Sequence, residues 1–412
     1  MNTGLKHWKE AATLILAAGH RLGADSLSSP GVVCSQPGKN ERRPPVTQRF
    51  DYNVLLLKRS RKSGFMPNAY VFPGGMVDSS DFSSEWLEVF KAFTNSRNFG
   101  LRSVKQPSET RPPIFATDRL KLGSPIPGDV AFRICALRET FEESGVLLFV
   151  SKKDELSLLK SLNDRRAADE VKHYRVNELC SGELSRWRTL VNQNPSNFVR
   201  MCRELEVVPN IWALHEWANW LTPAGRYSVK RFDTAFFMCC LEERPHAFQD
   251  QKEIQHLQWS TPSDILQNFQ DRDLWIAPPQ YYELSRMCRF PSLSDLHAFA
   301  RRRGTDGCEQ WLPVIFLQDD SYVSVLPGTC LIQCPPTHGY CVQIWLLFSA
   351  GDHLYPSNSS ETTNVETPEG SESALHRFLI SDPYCPHLQV NITPKYNHML
   401  PLIGPLESKT PV

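Results

Sequence analysis

Arg138-Glu139-Thr140-Phe141-Glu142-Glu143-Ser144-Gly145-Val146 is the stretch on which the reading of this chain turns. Just upstream and within it, Val130, Ile134, Leu137 and Phe141 recur at spacings of four, three and four, the period of one apolar helix face, and Gly145 supplies a left-handed stop. This predicts a helix over 129–144. At about 100° per residue, Glu139 and Glu143 fall opposite the apolar stripe and are expected to face away from the core. Glu139 precedes Glu142 and Glu143 by three and four residues, so the three carboxylates converge, and like charges at that spacing repel by roughly a few tenths of a kcal/mol each. A cation is expected among them. Carboxylates alone suit a hard divalent ion such as magnesium or manganese, which accepts a few protein oxygens and fills its shell with water and substrate phosphate.

Working outward, Phe72-Pro73-Gly74-Gly75 ends a short strand over 70–72 in a glycine turn, where missing side chains let backbone approach a phosphate. Residues 79–127 separate that turn from the helix. They are polar and contain prolines, with a helical patch near 86–93, so they read as an insertion rather than a core element, and deletion of much of 82–124 is expected to leave a folded protein. The run ending at Gly19 resembles a signal-peptide core, but Glu10 beside it favours a buried strand. A loop over 20–48 leads to a strand at 52–57 that ends in the basic cluster Lys58, Arg59, Arg61, Lys62. Further strand-like runs fall at 146–150, 211–220, 232–241 and 254–259, with a second, helical insertion over 153–206. Helices follow from Thr261, over 277–290 and over 292–303. The last hundred residues show strand-like runs at 311–317, 322–326, 342–348 and 388–392, interrupted by a polar stretch over 357–373 that reads as a disordered linker.

Composition narrows the classes. With 412 residues, 41% hydrophobic and 22% charged, the chain has ample material for a core. Lys+Arg and Asp+Glu both number 45, so no global field draws it to nucleic acid or anionic lipid, and any phosphate recognition must be local. Twelve scattered cysteines without a C-x-x-C pair point to reduced thiols rather than a disulfide framework or a zinc site. No stretch is long and apolar enough to span a membrane as a helix.

The glycine turn and the acidic helix together resemble the Nudix box of the Nudix hydrolases: glycine, five residues, glutamate, seven residues, then Arg-Glu-aliphatic-x-Glu-Glu-x-Gly-aliphatic. Gly75 followed by Asp81 matches the first part with Asp for Glu, and Arg138 to Val146 matches the second with Thr140 at an aliphatic position. Between Asp81 and Arg138 lie 56 residues where the box has seven; the early acid is either Asp81 or Asp129. Leu56-Leu57-Lys58-Arg59-Ser60, eleven residues, then Phe72-Pro73-Gly74-Gly75 is similar to the coenzyme A signature of the Nudix coenzyme A diphosphatases, with Gly64 and Asn68 where that signature has its inner Arg and Gly. Trp220-Leu221-Thr222-Pro223 and Arg231-Phe232-Asp233-Thr234-Ala235-Phe236-Phe237 extend the likeness to the peroxisomal acyl-coenzyme A diphosphatases with an interrupted box.

The resemblance implies an α/β fold, the Nudix α/β/α sandwich of a mixed sheet flanked by helices. It would comprise a hydrolase domain over 8–270 carrying both insertions, helices over 271–305, and an extension over 306–412. It implies hydrolysis of the diphosphate of coenzyme A and its thioesters to (acyl-)4'-phosphopantetheine and adenosine 3',5'-bisphosphate. The alternatives are another nucleoside diphosphate such as ADP-ribose, or a binding module with a disabled box. Glu139, Glu142 and Glu143 would hold magnesium or manganese, Arg138 would orient a carboxylate, and a water molecule would be the nucleophile. The base would be Glu139 or Glu253. Arg59, Ser60, Gly74 and Gly75 would bind substrate, with Arg59 reaching the 3'-phosphate. Small-molecule substrate is the only partner implied, with no nucleic acid. The family places its members in the peroxisome through a Ser-Lys-Leu-like end, whereas this chain ends Thr410-Pro411-Val412, which leaves cytosol or mitochondrion as alternatives.

Overall fold

The computed structural model describes residues 8–20, 50–163, 181–223, 231–249, 254–318, 321–329 and 374–403. Its centre is β1 (Lys9–Gly19), the run that resembles a signal-peptide core, with ten consecutive residues paired in parallel to β8 (Phe232–Leu241). Antiparallel to β1 on its other side run β2 (Tyr52–Arg59) and β4 (Gly74–Met76). The ladder continues through β3 (Tyr70–Val71) and β9 (Ile254–Ser260) beside β2, and through β7 (His215–Leu221) and β10 (Gln310–Trp311) beyond β8. Eight strands thus form one mixed sheet.

Alternation along the central strands divides the core in two. Ala12, Leu14, Leu16 and Ala18 of β1, with Leu55, Leu57, Phe237 and Cys239, pack toward helix α3 (Gly128–Ser144), while Ile15, Ala17, Val54, Leu56, Phe236 and Met238 pack on the other face. There they meet α7 (Pro262–Gln270), α8 (Pro278–Met287) and α9 (Leu293–Arg303). This is the expected α/β/α sandwich, and α3 runs to the predicted helix stop, with Gly145 left-handed at φ 74°. Two expected strands shorten: 146–150 forms only β5 (Phe149–Ser151), paired with β6 (Val207–Pro209), and Ile211–Ala213 makes a helical turn before β7 begins.

The segment 79–127, read from sequence as an insertion rather than a core element, contributes side chains to the core. It carries short helices, α1 (Trp86–Val89) and α2 (Pro113–Ala116). Its Trp86, Val89, Phe90, Phe93, Ile114 and Ile126 are buried in the same cluster as α3. Two buried arginines tie it down: Arg119 donates to both oxygens of Glu10 on β1 at 3.1 and 2.8 Å, and Arg111 to both oxygens of Glu216 on β7 at 3.1 and 2.7 Å. Trp86, Val89, Phe90 and Phe93 do recur at helical spacing, but the polar, proline-containing sequence around them gave no sign that the patch docks against residues as distant as Phe198 and Trp212. Where described, 153–206 carries the helical pattern read from sequence, in α4 (Glu155–Asn163), α5 (Ser181–Gln193) and α6 (Asn197–Glu204). The extension folds too. A four-stranded sheet of β11 (Val314–Gln318), β12 (Ser321–Val325), β13 (His376–Ile380) and β14 (His387–Val390) buries Val325, Phe378, Ile380 and Leu388. The expected loop over 20–48, the run at 342–348 and the linker over 357–373 lie outside the described residues, save His20. All seven described cysteines are free.

Candidate active site

The glycine turn becomes β4, laid along β1 so that Gly74 and Gly75 oppose Thr13 and Ala12. A side chain would not fit at either glycine. A Cβ on Gly74 would come within 2.5 Å of the Ala12 carbonyl oxygen, and one on Gly75 within 2.5 Å of the Glu139 carboxylate. The turn therefore lies directly against the acidic end of α3. The Gly74 N–H donates to Glu143 Oε2 at 2.9 Å, and Glu143 is only 4% exposed. That corrects the expectation that Glu143 faces away from the core: it lies opposite the apolar stripe, but β4 covers that side. Glu139 and Glu142 are half-buried.

Arg138 organises the group. It is 1% exposed, and its Nε and Nη2 donate to the two oxygens of Asp81 at 2.8 Å each. Nη2 also donates to the Met76 carbonyl at 3.1 Å. Nη1 donates to Glu139 Oε1 at 2.8 Å and Glu142 Oε1 at 2.9 Å, holding two carboxylates side by side. Burial opposes the charge of Arg138, but Asp81 and Glu139 outweigh it and hold the guanidinium well above its ordinary pKa. Asp81 is itself fixed: it accepts the Asp78 N–H at 2.9 Å in a capping box that opens a helical turn over Ser79–Phe82. Of the two acids open from sequence, Asp81 is therefore the one joined to Arg138. Asp129 instead pairs with Arg111 at 2.8 Å on the far end of α3. Asp81 and Arg138 thus meet although 56 residues lie between them.

Burial first, and then the neighbouring Glu139, push Glu142 up to about 7. Two carboxylates so crowded, one guanidinium between them, form an oxygen-only donor set that packs directly on the side-chain-free Gly75. Among the described residues no three His, Cys, Asp or Glu side chains stand together as a ready cage. A divalent ion fits here in the manner of one held by one or two carboxylates, its remaining positions going to water and phosphate.

The C-terminal end of α3 is covered from two sides. Arg188 Nε of α5 donates to the Glu142 carbonyl at 2.9 Å, and the Phe248 N–H donates to the Ser144 carbonyl at 2.7 Å. The segment after β8 thus arrives beside α3 just before Glu253, which lies outside the described residues.

The basic strand end behaves differently from its sequence reading. Arg59 turns into its own loop: Nε donates to Ser63 Oγ at 3.1 Å and to the Phe65 carbonyl at 3.0 Å, and Nη2 to Ser63 Oγ at 2.8 Å. Ser60, buried, accepts the Lys62 N–H at 3.2 Å. These contacts shape the loop between β2 and β3, and they were not legible because any strand-end arginine reads as solvated.

The NUDT19 Nudix domain model matches residues 8–287. The chain belongs to the NUDT19 Nudix family. It is 43% identical over 421 residues to the acyl-coenzyme A diphosphatase NUDT19 of Xenopus laevis, covering 99% of each chain. Against the proteins of that name from Gallus gallus and Homo sapiens it is 41% identical (98% of this chain, 97% of the relative) and 36% identical (97% and 96%). Among solved structures, a Nudix hydrolase from Alicyclobacillus acidocaldarius aligns with a TM-score of 0.45 at 17% identity, covering 72% of this chain and 97% of the other. Nudix hydrolases generally use divalent metals, which accords with the carboxylates crowded on α3.

Proposed function

We propose that this protein hydrolyses the diphosphate linkage of coenzyme A and acyl-coenzyme A, giving 4'-phosphopantetheine or its acyl form and adenosine 3',5'-bisphosphate. The observation that carries the reading is identity of 36–43% over nearly the whole chain to acyl-coenzyme A diphosphatases. It is supported by a box that is closed in space despite its interruption: Asp81, Arg138, Glu139 and Glu142 are linked by hydrogen bonds of 2.8–2.9 Å.

In this proposal magnesium or manganese would be held by one or two of Glu139, Glu142 and Glu143 at a time, and would neutralise charge that builds on the diphosphate oxygens. Arg138, clamped by Asp81, keeps Glu139 and Glu142 in register so that neither must be reoriented when substrate arrives. The Gly74-Gly75 backbone admits a phosphate close to the carboxylates. Glu139 or Glu253 takes the proton of the attacking water, and the bond between the bridging oxygen and one phosphorus breaks. Ser60 and Arg59 hold the loop that flanks the substrate. Among the described residues no helix is long and apolar enough to cross a membrane. A peroxisomal location belongs to the same proposal and is supported by the family resemblance.

The test is turnover of coenzyme A, an acyl-coenzyme A and ADP-ribose by the full chain with magnesium, with manganese and with chelator. Metal-dependent release of adenosine 3',5'-bisphosphate is expected. Preference for ADP-ribose, or binding without turnover, would replace the proposal with one of those two readings.

A further inference from the structure

Beside the carboxylate end of α3 lies an apolar strip whose outer faces the fold leaves uncovered. Leu257 and Trp259 of β9 stand on the α3 side of the sheet, partly buried against the same core cluster as α3. His256, one residue earlier, turns to the opposite face, where its ring meets Tyr70. Leu57 of β2 pairs with Val71 on one side and Leu257 on the other, and Val71 stands three residues before Gly74. Leu257 is thus two strand spacings, about 10 Å, from the strand that runs into the glycine turn.

The run from β8 toward β9 docks on the same end of α3. The Phe248 N–H donates to the carbonyl of Ser144, the residue after Glu143, at 2.7 Å, and Ala247 packs on the α3 cluster. With Ala247 turned inward, His246 and Phe248 turn outward together, their rings parallel to within 5° and 6.0 Å apart between centres. Among the described side chains Phe248 is the one aromatic left exposed, at 63%. Trp259 is half-buried, and among the described residues its ring meets no other ring and its indole N–H donates no hydrogen bond. The indole N–H groups of Trp86, Trp212, Trp217 and Trp220, by contrast, all donate. Isolated surface aromatics are ordinary; a strip of them continuous with a charged site marks a place where a ligand sheds water.

A substrate whose diphosphate lies at the carboxylates sends one arm to each side. The adenosine arm ends in a flat ring edged with hydrogen-bond acceptors, whereas the pantetheine arm is a flexible chain. Flat aromatic faces and an unused N–H donor suit the first. We propose that this strip is the adenine subsite, receiving the purine ring on the faces of Trp259 and Phe248 while the diphosphate lies at Glu139, Glu142 and Glu143. The proposal rests on the reading of the site as one that hydrolyses a nucleoside diphosphate linkage, and it assigns the nucleotide half of the substrate to the β9 side of α3.

Calorimetric binding of the two product halves to the full chain, with magnesium, tests it. Trp259→Ala is expected to weaken adenosine 3',5'-bisphosphate about 5- to 150-fold, the range for loss of one base–aromatic stack, and to leave 4'-phosphopantetheine unchanged. Trp259→Phe, which keeps a ring, should restore most of that affinity, while Trp259→Leu, apolar but ringless, should not; a side chain that only packs would be rescued by both. Phe248→Ala, at a ring too exposed to support the core, should weaken the bisphosphate alone. In turnover the loss is expected in KM, with kcat nearly unchanged. Unaltered bisphosphate affinity in both alanine variants, no bisphosphate binding by the unaltered protein, or a loss confined to 4'-phosphopantetheine and growing with acyl-chain length would overturn the proposal, the last by giving the strip to the acyl arm. The expected bisphosphate losses without any turnover of coenzyme A would overturn the hydrolytic reading instead and uphold the subsite.

Discussion

Asp81→Asn is the perturbation that bears most directly on the interrupted box. The substitution keeps size and leaves one acceptor for Arg138, but it removes the charge that faces Nε and Nη2 across two 2.8 Å hydrogen bonds. Both partners are nearly inaccessible, at 1% exposure each. Breaking such a buried pair costs about 3–5 kcal/mol where the survivor is left alone. Here Glu139 and Glu142 remain on Nη1, so a smaller loss, about 2–3 kcal/mol, is expected in equilibrium unfolding by urea. The freed guanidinium would be drawn further onto Glu139 and Glu142, taking them from their role in the reaction. Losing one charge-assisted hydrogen bond, about 1.5–3 kcal/mol, in the transition state lowers kcat/KM on coenzyme A about 10- to 150-fold. Asp129→Asn is the matched control. Its partner Arg111 keeps Glu216, so stability is expected to fall by less than about 1 kcal/mol with activity nearly unchanged. If Asp129→Asn impairs turnover while Asp81→Asn leaves it intact, the assignment of Asp81 as the early acid of the box is refuted.

Glu139→Gln and Glu143→Gln should each remove most metal-dependent turnover while unfolding stays cooperative, since the amide oxygen introduced at position 143 can still accept the Gly74 N–H; full activity in both variants would sink the metal-site proposal. Trp86→Ala, at a side chain 1% exposed within the interrupting segment, should cost about 3–5 kcal/mol in a urea titration, and a cost near zero would return that segment to the status of a dispensable loop. Arg59→Ala should lower kcat/KM about equally on coenzyme A and 3'-dephospho-coenzyme A, because its guanidinium braces Ser63 and Phe65; a loss confined to coenzyme A would mean that it meets the 3'-phosphate after all. Burial raises Asp233 to about 7, so between pH 4 and 7 the unfolded chain has released a proton that the native state keeps. Stability should therefore fall as pH rises through that window, by at most about 1.4 kcal/mol per pH unit from this group, and Asp233→Asn should flatten the fall; parallel stability curves for the two proteins would refute it.

The local features of the site were legible because their causes are local. A period of 3.6 and a glycine stop define α3 without reference to the rest of the chain, and the E-x-x-E-E spacing alone brings three carboxylates to one end of it. β8 was likewise readable as a continuous apolar run, as expected for a strand buried on both faces. The burial of Glu143 was not legible: helical phase gives the direction of a side chain, while only the docking of β4 decides whether that direction meets water. Arg59 shows the same limit, since its partners at Ser63 and Phe65 depend on how the loop curls back.

By itself, then, the sequence determined the helix, its acidic end, the glycine turn and the family to which they belong, all properties of short windows in which each residue's neighbours are also its partners. Only the tertiary structure joined Asp81 rather than Asp129 to Arg138 and made the interrupting segment part of the core. The groups joined in this way lie mostly tens to hundreds of residues apart, and the energy of burying a charge or an aromatic ring depends on what the fold brings to its other side.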